Sequence, residues 1–340
     1  METELIVHAT NLPSIMEELR DRAGDYVKNA RSKNTQRAYQ TDWHHFKEWC
    51  AAHSRSALPA DLLETVVPYL TAYAPALKVS TLLRRLTAIR VFHRSRGFKL
   101  DTTDERFRVF WQGLRNARGV RVNKKAPLMS ADLRRTIQAL PNNLQGHRDR
   151  ALLLIGFAAG LRRAELAGLT VSQDLNASGW IEAAPDGLII QLSRSKTNQA
   201  GEEESIGVPF GIDENVCPVR AYRTWLAVSG IKEGAAFRAV TRHGRMSDAA
   251  MTGAAVALIV KRLVKRTALA EGLNSEAAQA RADTFSGHSL RAGLATSAAE
   301  NDAPGHAIQR QLRHKSFTTT IGYIRSGSLF KGNAASFALK

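Results

Sequence analysis

From about Leu12 to Leu114 the chain keeps a helical period almost without interruption, which confines its first third to an all-helical unit. In NTQRAYQTDWHHFKEWCAAH, the residues Tyr39, Trp43, Phe46 and Trp49 recur at helical spacings of three and four and share one apolar face. Four aromatics on one stripe read as core, not as a platform for stacking bases. LPADLLETVVPYLTAYA and KVSTLLRRLTAIRVFHRSRGF continue the pattern, the latter opening at a cap on Ser80 or Thr81 and closing at Gly97. The last of these carries Arg84, Arg85, Arg90, Arg94 and Arg96 off its apolar face. Such arginines either lie along a phosphate backbone or solvate an exposed face, and periodicity leaves both readings open.

A basic, proline-containing stretch, VRVNKKAPLMSADL, interrupts the pattern and leads to a new cap at Ser130, which puts a linker at about 118–127. The expected organisation is therefore 1–117, linker 118–127 and 128–340. Downstream, RDRALLLIGFAAGLRRAELAGL reads as one nearly all-apolar, buried helix. GLIIQLSRSKTNQAGEEESIGVPF shows two β-rich runs flanking a polar turn, a hairpin pattern. Helical periods resume at PVRAYRTWLAVSG, at DAAMTGAAVALIVKRLVKRTALAEG and from Ser289 onward. The fold class that follows is mainly α with a small antiparallel sheet in the second domain. No internal repeat or low-complexity tract is apparent.

Charge narrows the partners. Among 340 residues, 48 Lys and Arg oppose 31 Asp and Glu, a formal charge of +17 that attracts a polyanion and disfavours acidic partners. Nucleic acid leads; solubility or an anionic membrane surface is the alternative use of such charge. No apolar run is long enough to span a bilayer, and METELIVHATNLPS lacks the basic start and apolar core of a signal peptide, so a cytoplasmic protein is expected. The two cysteines, Cys50 and Cys217, lie far apart and read as small packed apolar residues. His288, His306 and His314 lack the spacing and carboxylate company of a metal site, so neither metal nor cofactor is expected.

GLRRAEL, SRSKT, GHSLRAG, LRHKS and GYIRS follow one another in that order. Together they resemble the tyrosine site-specific recombinases, the phage integrase family, and within it the Cre-like branch through GHSLRAG and GYIRS. Five separated elements in the right order make this specific, whereas any one alone is weak. The chemistry such a family performs explains the residue types. A phosphodiester under attack concentrates charge on its non-bridging oxygens, and fixed guanidiniums stabilise that charge with planar, permanently charged donor forks.

What the resemblance implies is residue-specific. Arg162 and Arg291 match the arginine pair, and Glu165, three residues after Arg162, is placed to orient it. Tyr323 matches the nucleophile and His288 the group that handles its proton or holds the phosphate. Lys196 matches the lysine that protonates the leaving 5′-oxygen, although a lysine on a polar turn is equally a solvated surface residue. His314 stands where the family has His or Trp, and Cre-like members have Trp; Ala292 stands where many members have His. The stretch AAMTGAAVALIVKRLVKRTAL matches a helix that enters the major groove, with Lys261, Arg262, Lys265 and Arg266 near phosphates or bases, while its Ala-rich start serves equally as a packing face. By the same resemblance, 1–117 is a core-binding domain, and both domains form a C-shaped clamp on double-stranded DNA bearing inverted half-sites. The chain is then a monomer in isolation and a homotetramer on DNA. The tail SGSLFKGNAASFALK, with Leu329, Phe330, Phe337 and Leu339 on one face, is passed to a neighbouring protomer or packs on its own domain.

A type IB topoisomerase-like nicking-closing enzyme shares the chemistry, and a catalytically idle DNA-binding protein shares the fold. Assays on supercoiled plasmid with and without paired sites separate the first, and a covalent DNA adduct excludes the second.

Overall fold

The computed structural model describes residues 15–19, 22, 32–119, 125–193 and 204–327. The chain divides into two compact units, Met1–Asn123 and Lys124–Lys340.

The first unit is helical throughout its described part: α1 (Lys33–Ala52), a π turn (Leu62–Val66), α2 (Val67–Tyr73), α3 (Val79–Ser95) and α4 (Glu105–Arg118). Ser32 caps α1 by accepting the Thr35 amide, and Asp104 caps α4 by accepting that of Arg106. The expected caps at Ser80 and Thr81 are not used. Helix α3 begins one residue earlier, at Val79, without a side-chain cap. Three of the four aromatics of the stripe form core: Phe46 is fully buried among Val66, Tyr69, Leu70, Leu82, Ile89 and Phe107, with Trp43 and Trp49 packed at its edge, while Tyr39 is half-buried outside that cluster. Each such fully buried side chain contributes roughly 1.5–3 kcal/mol. Trp43 lies flat on Phe92, 4.8 Å between ring centroids, which locks α1 to α3.

The second unit holds α5 (Ser130–Gln138), α6 (Leu144–Ala158), α7 (Arg163–Ala167), β1 (Leu169–Thr170), β2 (Gly179–Ala184), β3 (Gly187–Leu192) and β4 (Glu204–Pro209). After them come α8 (Pro218–Ser229), β5 (Arg238–Val240), β6 (Met246–Ala250), α9 (Gly253–Ala270), α10 (Ser275–Asp283), α11 (Ser289–Glu300), α12 (Gly305–Leu312) and α13 (Phe317–Gly327). Strands β3 and β4 pair antiparallel from Gly187 against Pro209 to Leu192 against Glu204, the hairpin that the sequence suggested. The sheet order is β1-β2-β3-β4, and β1 runs parallel to β2, so the sheet is mixed at that edge. A second, two-stranded sheet pairs β5 with β6. It takes in Asp248–Ala250, which the helical pattern had assigned to the start of α9; Thr252 instead caps α9 by accepting the Ala255 amide.

Two further expectations change. Ser130 does not cap α5: its own amide donates to Ser297 Oγ on α11, 3.0 Å away. The expected linker 118–127 includes residues 120–124, which lie outside the described residues, while its end is built into the second unit. Ala126 and Leu128 donate to the carbonyls of Thr284 and Ser289, each at 2.9 Å. Gly293 makes this approach possible, since a Cβ there would meet the Leu128 carbonyl oxygen at 1.9 Å.

The large core of this unit is built around α6, α8 and α9, with Trp225, Leu152, Leu153 and Val260 fully or almost fully buried. A smaller cluster of Ala295, Ala299, Ile308 and Leu312 sits between α11 and α12, and Tyr323 and Ile324 of α13 pack on it. That small cluster seats the site.

Candidate active site

The long apolar run that reads as one helix is broken. Helix α6 ends at Ala158, Gly160 takes φ +57°, and Arg162 is extended at the N-cap of α7. Glycine suits this turn because the left-handed backbone disfavours a Cβ, which would also stand 2.7 Å from Leu312 Cδ2. The break delivers Arg162 to the site. Its amide donates to Glu165 Oε2 at 2.9 Å, and its Nη1 donates to Glu165 Oε1 at 2.6 Å, so one carboxylate fixes both backbone and guanidinium. Burial opposes charge on Glu165, but Arg313 and Arg162 outweigh it and hold the pKa below the ordinary carboxylate value.

Arg291, on the first turn of α11, is only 2% exposed. It donates from Nη1 to the Gly160 carbonyl at 2.6 Å and from Nη2 to the Leu312 carbonyl. One guanidinium thus ties the α6–α7 turn to the end of α12. Burial, then Arg162 and Arg313, push its pKa down to about 10, which still leaves it charged at neutral pH. A guanidinium has five N–H donors, so these two bonds leave others for an anion.

Tyr323 Oη lies 3.0 Å from His288 Nε2, and the Tyr323 ring stacks on His314 at 5.8 Å with 15° between planes. His314 Nδ1 pairs with Thr320 Oγ1 at 3.0 Å, one helical turn before Tyr323 on the same helix. Burial raises the Tyr323 pKa against the pull of Arg291, so the phenol is protonated at neutral pH and needs a base. Burial, Arg291 and Arg162 lower the pKa of His288 and keep the ring neutral, so that with its proton on Nδ1 it accepts from the phenol at Nε2. His314 falls to about 4, from burial first and then Arg291 and Arg162, and is neutral too. The Thr320 hydroxyl can donate to Nδ1, and in that tautomer His314 carries its proton on Nε2 and serves as a hydrogen-bond donor.

Sequence reasoning missed Arg313. It caps α12 in the left-handed region, φ +53°, and donates from Nη2 to Glu165 Oε2 at 2.9 Å. Burial lowers its pKa, with Glu165 opposing. Its only sequence signal was a charge beside His314, which looks like any surface arginine. Lys196 lies outside the described residues, as do Leu329, Phe330, Phe337 and Leu339.

The residues expected to meet DNA are variously placed. Arg84 is half-exposed and bonds Asp42 from Nε at 2.8 Å, and Arg90 is exposed. Arg85 is largely buried, donating to Tyr69 Oη at 3.1 Å with its guanidinium 4.9 Å from the Tyr73 ring centroid, an internal position. On α9, Lys261 bonds Asp283 and Lys265 bonds Gln279. Arg262 reaches the buried Asp149, and Arg266 is exposed.

Arg162, Arg291 and two neutral imidazoles gather near Tyr323, with Arg313 behind Glu165, and the cations outnumber that carboxylate, which suits the site to an anion. The chain matches the phage integrase family over residues 127–328 and the phage integrase N-terminal SAM-like domain over 25–96. It belongs to the phage integrase family. An integrase/recombinase xerD homolog of Selenomonas ruminantium is 35% identical over 312 residues, covering 91% of this chain and 86% of that protein. Among solved structures, the fold is similar to XerH site-specific recombinase bound to a palindromic difH substrate, with TM-score 0.56, 17% identity, and 82% and 73% coverage of the two chains. It is similar also to a lambda integrase (75–356) dimer bound to a COC′ core site, with TM-score 0.54, 15% identity, and 91% and 94% coverage. These relatives are Xer and integrase proteins, which leaves the Cre-like reading of the motifs at the level of a shared fold. No described helix is long and apolar enough to cross a membrane.

Proposed function

We propose that this phage integrase family member is a site-specific tyrosine recombinase, cutting and rejoining DNA through a covalent 3′-phosphotyrosyl intermediate at paired inverted half-sites and a Holliday junction. The observation that carries the reading is Tyr323 Oη, 3.0 Å from a neutral His288 Nε2 beside the buried Arg291. His288 takes the phenolic proton as Oη attacks phosphorus. Arg162, Arg291 and the Nε2 proton of His314 stabilise the charge gathering on the non-bridging oxygens. The tyrosyl O–P bond forms and the P–O5′ bond breaks, with Lys196 supplying the proton to the departing oxygen. Attack by a 5′-hydroxyl of the partner strand reverses these steps without an external energy source or a metal.

Residues 1–117 act as the core-binding domain and 128–340 as the catalytic domain, both binding the duplex. The exposed Arg84, Arg90 and Arg266 provide phosphate contacts, with Lys261, Arg262 and Lys265 close to the groove. The protein is a monomer alone and a tetramer on DNA, its tail passed to a neighbour, in the cytoplasm where that DNA resides. Tyr323→Phe decides the central claim: it keeps DNA binding and yields no covalent adduct on nicked half-site DNA. An adduct trapped with this variant refutes the assignment. For Lys196→Ala, a substrate with sulfur at the 5′-bridging position restores cleavage, because a thiolate leaves without a proton.

A further inference from the structure

We infer that Arg313 is a positioning residue of this site, acting through Glu165 to hold Arg162 in its working geometry; this rests on the recombinase reading above. Three observations carry it. The first is backbone cost. Arg313 occupies φ +53°, ψ +46° at the end of α12, where glycine or asparagine is at ease and a long side chain is not.

The second is burial without satisfaction. The side chain is 7% exposed, yet Nε and Nη1 have no hydrogen-bond partner among the described residues. Glu204 Oε2, at the start of β4, also has no hydrogen-bond partner among the described residues and meets Arg313 Nε only as a loose ion pair at 4.0 Å. A residue present for stability would not combine a disfavoured backbone with a buried, half-paired charge. The third is placement. The Leu312 carbonyl before Arg313 accepts from Arg291, and the His314 ring after it stacks on Tyr323. Its one bond is to Glu165 Oε2, the oxygen that also accepts the Arg162 amide. Arg313 therefore shares the carboxylate with Arg162 and links that pair to the segment carrying His314.

The test is single-turnover formation of the covalent adduct at saturating nicked half-site DNA, with DNA affinity and thermal unfolding measured alongside. Arg313→Gly is expected to bind DNA within threefold and, per folded molecule, to cleave about tenfold to a hundredfold more slowly, the scale of a small misplacement at a reacting centre. Relief of the strained backbone and buried charge is set against the loss of a partner of Glu165, so its unfolding temperature stays near that of wild type. Arg313→Asn, which also accepts this backbone, does the same, and Arg313→Lys recovers part of the rate by returning a cation to Glu165. Because the effect runs through Glu165, Arg313→Gly adds little further loss to Glu165→Gln. Cleavage by Arg313→Gly at the wild-type rate overturns this inference alone. So does a fall in unfolding temperature with the rate per folded molecule unchanged. A wild-type chain that forms no adduct overturns the recombinase reading, and this inference with it.

Discussion

Replacing Arg291 by Met separates chemistry from stability, and the structure fixes both magnitudes. The guanidinium is 2% exposed, and its surroundings lower its pKa from 12.5 to about 10, so keeping it charged in place costs about 3 kcal/mol relative to water. Arg291→Met relieves that cost and keeps most of the volume. It also leaves the carbonyls of Gly160 and Leu312 without their donor, a loss of about 1–3 kcal/mol each. The two effects oppose each other, so the net destabilisation is no more than about 3 kcal/mol. For a unit of this size that lowers the Tm by about 6–12 °C at most. Nothing offsets the loss at the reacting phosphate, where one preorganised donor is worth about two to three orders of magnitude in rate. Calorimetry and covalent-adduct formation on nicked half-site DNA, run well below the Tm of the variant, measure the two quantities on one sample. Cleavage within tenfold of wild type refutes the reasoning, because the anion site then lies elsewhere. A loss of stability far above 3 kcal/mol refutes it differently, by making Arg291 chiefly a structural bolt.

Acid should weaken the second unit before it reaches the carboxylates. His314 has a pKa of about 4 when folded against an ordinary 6.5, so the unfolded chain gains a proton as pH falls through 6.5 while the folded chain does not. The stability present above pH 6.5 is thus lost progressively toward pH 4, and His314→Asn flattens urea midpoints measured across that window. Gly293→Ala pushes the Leu128 segment off α11 and costs about 2–3 kcal/mol or more, seen as a lower Tm. Asp42→Ala strips Arg84 and Arg85 of their buried carboxylate. It destabilises the first unit by about 2–3 kcal/mol, less than a fully buried pair because Arg84 is half in water, as followed by the fluorescence of Trp43, Trp49 and Trp111.

The helical first unit was legible because the Trp43, Phe46 and Trp49 stripe has only one way to be buried. The β3–β4 hairpin was legible for a similar reason, two β-rich runs around a polar turn. What escaped was the local geometry that packing decides. Gly160 sits within an apolar run whose period is unbroken, and only contact with Leu312 shows why the helix stops there. Strands β5 and β6 are short, and β6 is largely exposed, so no hydrophobic alternation announces them. Motif order gave Arg162, His288, Arg291, His314 and Tyr323, and these come together in space. Arg313 and Thr320 serve the site through contacts that close only once α12 and α13 are folded against α6 and α7. Charge counting could not tell Arg85, turned inward on Tyr69 and Tyr73, from its exposed neighbours.

The helix bearing Tyr323 meets the rest of the site through two uncharged rings and the small apolar cluster of Ala295, Ala299, Ile308 and Leu312. The ionic scaffold of Arg162, Glu165, Arg291 and Arg313 is closed by carbonyls and a carboxylate on other segments. Withdrawing the tyrosine therefore breaks no charge pair of that scaffold. Under the proposed function, grip on a phosphate and the capacity to cut it are therefore held by different parts of the site, the first by the ionic scaffold and the second by the placement of one helix.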